Sequence, residues 1–117
     1  MRLHEITYND AKPIDGYGPG FFRIGGQIYE GAVTVLPGGI NSWSGFADPE
    51  TLISARDDID VLFIGTGAEI CHIPTDFRDA LEASGIGAEP MSSPSACRTY
   101  NILLSEGRRV GLALLPV

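Results

Sequence analysis

A chain of 117 residues, 44% hydrophobic and 20% charged, has the balance of one folded domain, spanning 1–117, with a single sizeable core. Its formal charge of −7 and its lone lysine, Lys12, argue against a general nucleic-acid or anionic-membrane binder, because an acidic surface repels phosphate. With no apolar run near the ~20 residues that span a bilayer, no secretory signal and only two cysteines, the expectation is a cytoplasmic protein without membrane insertion or a disulfide framework.

In chain order, the first third reads as β-rich. "LHEITY" (3–8) alternates apolar and polar residues, as a half-buried strand does. Gly25-Gly26, between "FFRI" and "QIYEGAVTVL", has the two-residue form of a hairpin turn in which both positions need positive φ. "AVTVL" (32–36) supplies a second hairpin arm, stopped by Pro37-Gly38-Gly39. Asp48-Pro49-Glu50 then sets an N-cap before a proline, which predicts a short helix over 49–56.

The pattern changes after residue 59. "DVLFIGTG" (60–67) holds an unbroken apolar run, Val61 to Ile64, the signature of a strand buried on both faces of a parallel sheet. "PTDFRDALEASG" (74–85) predicts a helix with Thr75 as N-cap, Gly85 as stop, and Phe77, Ala80, Leu81 and Ser84 on its inner face. "GAEPM" (87–91) is a weak strand, since Pro90 cannot donate to a central ladder. Ser93 or Ser95 caps a helix over 94–106 whose apolar stripe is Ala96, Cys97, Tyr100, Leu103 and Leu104. Gly107 ends it and "RVGLALLPV" returns as a strand. Strands and helices alternating on short connections imply right-handed crossovers, so the fold class is α/β with antiparallel strands added by the N-terminal third.

Three blocks, "GYGPGFFRIGGQIYEGAVTVLPGGINSW" (16–43), "DVLFIGTG" (60–67) and "ACRTYNILLSEGRRVGLALLPV" (96–117), resemble in order and spacing a family of small α/β proteins of unknown molecular function. That family includes the mitochondrial NADH dehydrogenase (complex I) assembly factor three and an adipogenesis-associated vertebrate protein. The resemblance implies three layers: a mixed central sheet, flanking helices and an additional β layer. Many members carry an acidic residue followed by threonine where this chain has Ser92-Ser93. The missing carboxylate puts in doubt any acid–base role of the family's site in this chain, while Ser93 keeps the hydroxyl for capping.

Parallel strands end on the same side, so Gly65-Thr66-Gly67 and Ser92 to Ser95 converge on the N-terminus of the helix near Pro94. Open α/β sheets place ligands in such a crevice, and free N–H groups at a helix start accept anions. Gly65, Thr66, Gly67, Ser93, Ser95, Cys97 and Arg98 are therefore the candidate ligand-binding residues, for a weakly held small anion. Against this, Gly-Thr-Gly after a strand is more often a tight turn, and both the Lys-Ser/Thr phosphate loop and the three-glycine dinucleotide fingerprint are missing.

Cys97 would be activated if it faced the helix N-terminus beside Arg98; on the apolar stripe it is buried and inert. No base adjoins it in sequence, and His72 reaches it only through the fold. Tyr100 is expected to pack its ring and tie its hydroxyl to the backbone, and Asn101, a poor helix former, to bridge to the adjacent glycine-rich loop. Glu106, Arg108 and Arg109 read as a solvated ion-pair cluster at the helix end. His4 and His72 are too isolated for a metal site, and Asp57, Asp58 and Asp60 read as a solvated turn. Trp43 and Phe46 form a partner-binding anchor if exposed, and a satellite core if covered.

No catalytic set, metal cluster or cofactor motif stands out. The expected function is that of a non-catalytic interaction or assembly protein with a protein partner, which the resemblance links to biogenesis of respiratory NADH dehydrogenase. The alternative is a small-molecule (anion) binding protein or enzyme using the crevice at Gly65–Gly67 and the helix start near Cys97.

Overall fold

Tight glycine turns organise the first third of the computed structural model, which describes residues 12–117; the strand expected over 3–8, and His4, lie outside the described residues. Strands β1 (Ile14–Gly18), β2 (Phe21–Ile24) and β3 (Gln27–Glu30) form an antiparallel three-stranded sheet in that order. Gly25 and Gly26 turn the chain between β2 and β3 at φ +57° and +86°, a conformation that side-chain-bearing residues rarely adopt.

Strand β4 (Val33–Leu36) leaves this sheet for a larger one. Its antiparallel partners are β5 (Gly39–Ser42), across the Pro37-Gly38 turn, and β8 (Val110–Leu115). The reason is burial: Val33, Thr34 and Val35 are all buried, so the strand needs cover on both faces, whereas Gln27, Ile28 and Glu30 of β3 stand exposed. The larger sheet runs β5-β4-β8-β6-β7, with β6 (Val61–Thr66) parallel to both β8 and β7 (Ala88–Met91). It is therefore mixed, as expected. Pro90 sits in an edge strand, the place in a sheet where a proline is tolerated.

Helix α1 (Glu50–Ile53) is shorter than the predicted span and unwinds into turns after Ile53. Asp48 does cap it, accepting the Thr51 N–H at 3.2 Å and the Thr51 hydroxyl at 2.7 Å. Helix α2 (Thr75–Ala83) begins at Thr75 itself; Pro74 holds the cap position and no side chain caps the turn. Its inner face is Phe77 and Leu81, both buried, and Gly85 stops it while the Ile86 N–H returns to the Leu81 carbonyl. Helix α3 (Ser93–Ser105) starts one residue earlier than read from sequence, and its cap is Ser92, whose Oγ accepts the Ser95 N–H at 3.3 Å.

These elements make three layers. On one face of the larger sheet, Val35, Phe63, Leu112 and Leu114 meet Phe22 and Ile24 of the small sheet and Ala96, Cys97 and Tyr100 of α3. On the other face, Leu62, Ile64 and Ala113 meet Leu52, Phe77 and Leu81. β6 thus buries alternate side chains in opposite directions, each large side chain contributing roughly 1.5–3 kcal/mol.

Candidate functional site

β6 and β8 end together, Thr66 opposite Leu115, and α3 starts against that end. The structure does bring Gly65, Thr66, Gly67 and Ser93 into one junction, and Ser93 is its centre. The Ser93 N–H donates to the Gly67 carbonyl at 2.7 Å, the Gly67 N–H donates to Ser93 Oγ at 2.9 Å, and the Ser93 hydroxyl donates to the Leu115 carbonyl at 2.6 Å. One fully buried serine therefore ties β6, β8 and α3 together. Because that hydroxyl is spent on long-range partners, the capping role falls to Ser92.

The donors expected to meet an anion are occupied. Ser95 N–H is held by Ser92 Oγ, Ala96 N–H by the Ser92 carbonyl at 2.8 Å, and Pro94 has no N–H. Anion binding at a helix start depends on free N–H groups, and the first turn of α3 uses its own internally. Gly65 serves packing: a Cβ there would lie 2.6 Å from Leu114 Cδ2 and 2.9 Å from the Ser93 Cα. Thr66 Oγ1 lies 2.7 Å from the Glu69 carbonyl and 3.2 Å from the Met91 carbonyl, and accepts the Cys71 N–H at 3.1 Å, so it folds the following loop back on the strand. Arg98 is exposed and, among the described residues, its guanidinium hydrogen-bonds only Ser95 Oγ of its own helix, at 3.1 Å.

The chemistry-bearing groups further along α3 are also structural. Cys97 is 4% exposed, and burial pushes its thiol up to about 12, against a smaller opposing pull from Arg98. His72 lies exposed in the loop before α2, and among the described residues no hydrogen bond joins it to Cys97. Burial likewise pushes Tyr100 up to about 12, and its hydroxyl donates to the Lys12 carbonyl at 3.1 Å. Asn101 bridges to Ile14 and not to the glycine-rich loop: Oδ1 accepts the Ile14 N–H at 2.8 Å and Nδ2 donates to the Ile14 carbonyl at 2.9 Å. Its amide imitates a neighbouring strand and anchors β1 to the helix.

Trp43 is covered. It is 5% exposed, its indole N–H donates to the Asp48 carbonyl at 2.9 Å, and its ring packs against Phe46 and Phe77 with centroids 5.9 and 6.0 Å away. Trp43 and half-buried Phe46 therefore pack as core over α2, the covered of the two alternatives that the sequence left open, and Trp43 offers no exposed surface as an anchor. Arg109 pairs with Asp60 at 2.8 Å and not with Glu106, because the Asp60 N–H bonds the Arg109 carbonyl and sets the two residues side by side. The guanidinium bonded to Asp60 holds that carboxyl below its ordinary value near 3.8.

The comparisons with known proteins agree with this architecture. A family model described as "Protein of unknown function (DUF498/DUF598)" matches residues 14–115. The chain belongs to that family. It is 49% identical to an uncharacterized protein of Rhodobacter capsulatus over 117 residues, all of this chain and 94% of that protein. It is 32% identical over 110 residues to the Danio rerio NADH dehydrogenase (ubiquinone) 1 alpha subcomplex assembly factor 3, covering 88% of this chain and 63% of that factor. The chain thus spans less than two thirds of the length of that assembly factor. Among solved structures, one described as an outer membrane protein from Bartonella henselae superimposes with a TM-score of 0.82 at 35% identity, over 89% of this chain and 93% of that one. A Mth938-like domain of Bordetella pertussis superimposes with a TM-score of 0.74 at 29% identity, over 99% and 92%. Among the described residues, no helix is long and apolar enough to cross a membrane.

Ser92 acts here as a helix cap, a role that aspartate fills equally well. Sequence reasoning overlooked one feature entirely: a cleft of about 470 Å³ at the opposite end of α3. Its walls come from segments far apart in the chain, and no local pattern signals it.

Proposed function

We propose that the chain acts through protein contacts, as a non-catalytic interaction or assembly protein of the cytoplasm whose partners belong to the biogenesis of respiratory NADH dehydrogenase. The observation that carries this reading is the match to assembly factor 3, which extends over 88% of this chain for the Danio rerio protein and 91% for the Homo sapiens protein. The geometry supports it from another side. Ser93, Cys97, Tyr100 and Asn101, the residues richest in chemistry, are committed to burial or to backbone partners. The alternative, a small anion at Gly65–Gly67 and the start of α3, requires the bonds around Ser93 to open.

Deletion of the gene in its native host is the test. The expected outcome is less assembled NADH dehydrogenase on native gels, with subunits of that enzyme co-purifying with the tagged chain. A normal level of assembled enzyme, with none of its subunits captured, would sink the reading.

A further inference from the structure

The cleft at the far end of α3 is built by two stops. Gly107, at φ +79°, ends the helix, and the N–H groups of Gly107 and Arg108 fold back onto the Leu104 and Leu103 carbonyls. β4 ends nearby at Leu36 and turns through Pro37. Between these stops lies a hollow of about 470 Å³ walled by Leu36, Pro37, Leu104, Val110 and Tyr100. That size is within the range of small-molecule sites, which are concave, mainly apolar and carry a few placed polar groups. The Tyr100 hydroxyl is committed to Lys12, so what Tyr100 offers the cleft is its ring.

The polar groups sit at the rim and are unequal. Arg109 is bound by Asp60 and by the Asp57 carbonyl, and the charge of Asp58, the acidic residue of the rim, also acts on Arg109. Arg108, the other rim cation, also acts by its charge on Asp60 but makes no ion pair among the described residues, so its guanidinium N–H groups are open to a ligand. A molecule matching this arrangement has an apolar tail for the walls and one anionic group for a guanidinium, which binds carboxylates through strong charge-assisted hydrogen bonds. We propose that this cleft is a binding site for a medium-chain monocarboxylate, its tail against Leu36, Leu104 and Val110 and its carboxylate at Arg108. The site is independent of the assembly reading, since it concerns a small ligand in the cleft and rests on none of the observations that carry that reading.

The test is a set of NMR titrations of the full chain with octanoate, decanoate, decanol and decyltrimethylammonium, all below micelle formation. Decanoate should give saturable shifts concentrated at residues 36–37, 100, 104 and 107–110, and should bind about tenfold tighter than octanoate for its two extra buried methylenes. Arg108→Gln, a change at an exposed position, should weaken decanoate about fivefold or more and leave decanol unaffected. Leu104→Trp should block both by filling the cleft; if that variant does not fold, Arg108→Gln still decides the matter. Absent or scattered shifts would overturn the site. Decanol or decyltrimethylammonium binding as tightly as decanoate would overturn its preference for a carboxylate.

Discussion

The two ends of the five-stranded sheet are made from the same strands and from opposite ends of the same helix, yet one is closed and the other open. Where β6 and β8 finish, Ser93 stands inside the junction and consumes the Gly67 N–H, the Gly67 carbonyl and the Leu115 carbonyl. Gly65 lets the helix approach until a single added Cβ would collide with it. Where β6 and β8 begin, α3 stops short at Gly107, the rim is charged and exposed, and space remains beneath Leu104 and Val110. The ligand crevice of an open α/β sheet exists because strand ends and helix starts leave unpaired groups. A buried serine that pairs those groups removes the reason for the crevice. The same economy does not operate at the helix C-terminus, where the last carbonyls are satisfied by the turn itself.

The comparison is most severely tested by removing the closure. Ser93→Ala strands the buried Gly67 N–H and should lower stability by about 1–3 kcal/mol in urea unfolding. Arg109→Gln at the open end breaks an ion pair whose side chains are 56% and 51% exposed, and its unfolding midpoint should stay within error at about 0.15 M salt. Losses of equal size would erase the distinction between the ends.

The pH dependence should separate them as well. Cys97 and Tyr100, on the buried face of α3, ionise near 9.0 and 10.0 when unfolded but are pushed up to about 12 when folded. Their folded values are raised, so their contribution is complete below about pH 9 and is lost as the pH climbs towards 12. Asp60 runs the other way. Its carboxyl is lowered by Arg109, so its contribution has the opposite sign, present above its ordinary value near 3.8 and lost as the pH falls through the folded value, but at this exposed pair the change should stay within error. Stability that stays flat between about pH 8 and 11 would contradict the burial of Cys97. In the native protein a thiol reagent should label exposed Cys71 readily and Cys97 only on unfolding.

The smallest expected effect is a null one. Phosphate titration should produce no saturable NMR shifts at residues 65–67 and 93–98, because the N–H groups there are already bonded. Concentrated shifts at those positions would show that the junction opens and would restore the anion reading.

Much of the architecture was legible locally. The run from Val61 to Ile64 has no polar alternation, so it had to lie between two covered faces, and Gly25-Gly26 permits a turn that few other pairs do. Caps were read less well, at Ser93 or Ser95 instead of Ser92 and at Thr75 instead of Pro74. Choosing among neighbouring hydroxyls requires knowing which of them is already engaged. Asn101 was visibly out of place in a helix, but its partner Ile14 lies 87 residues away. Trp43 could equally have been an anchor or a core residue until Phe77 was seen to cover it.

Periodicity and turn chemistry act between residues a few positions apart, and they are written into any short stretch of chain. By itself, then, the sequence determined the elements, the mixed α/β class and the buried stripe of α3 through Ala96, Cys97 and Tyr100. Which end of the sheet is closed rests on contacts such as Ser93 with Leu115, 22 residues apart, and on a hollow left where two stops fail to meet. Those are properties of how distant segments share space, and only the tertiary structure decided them.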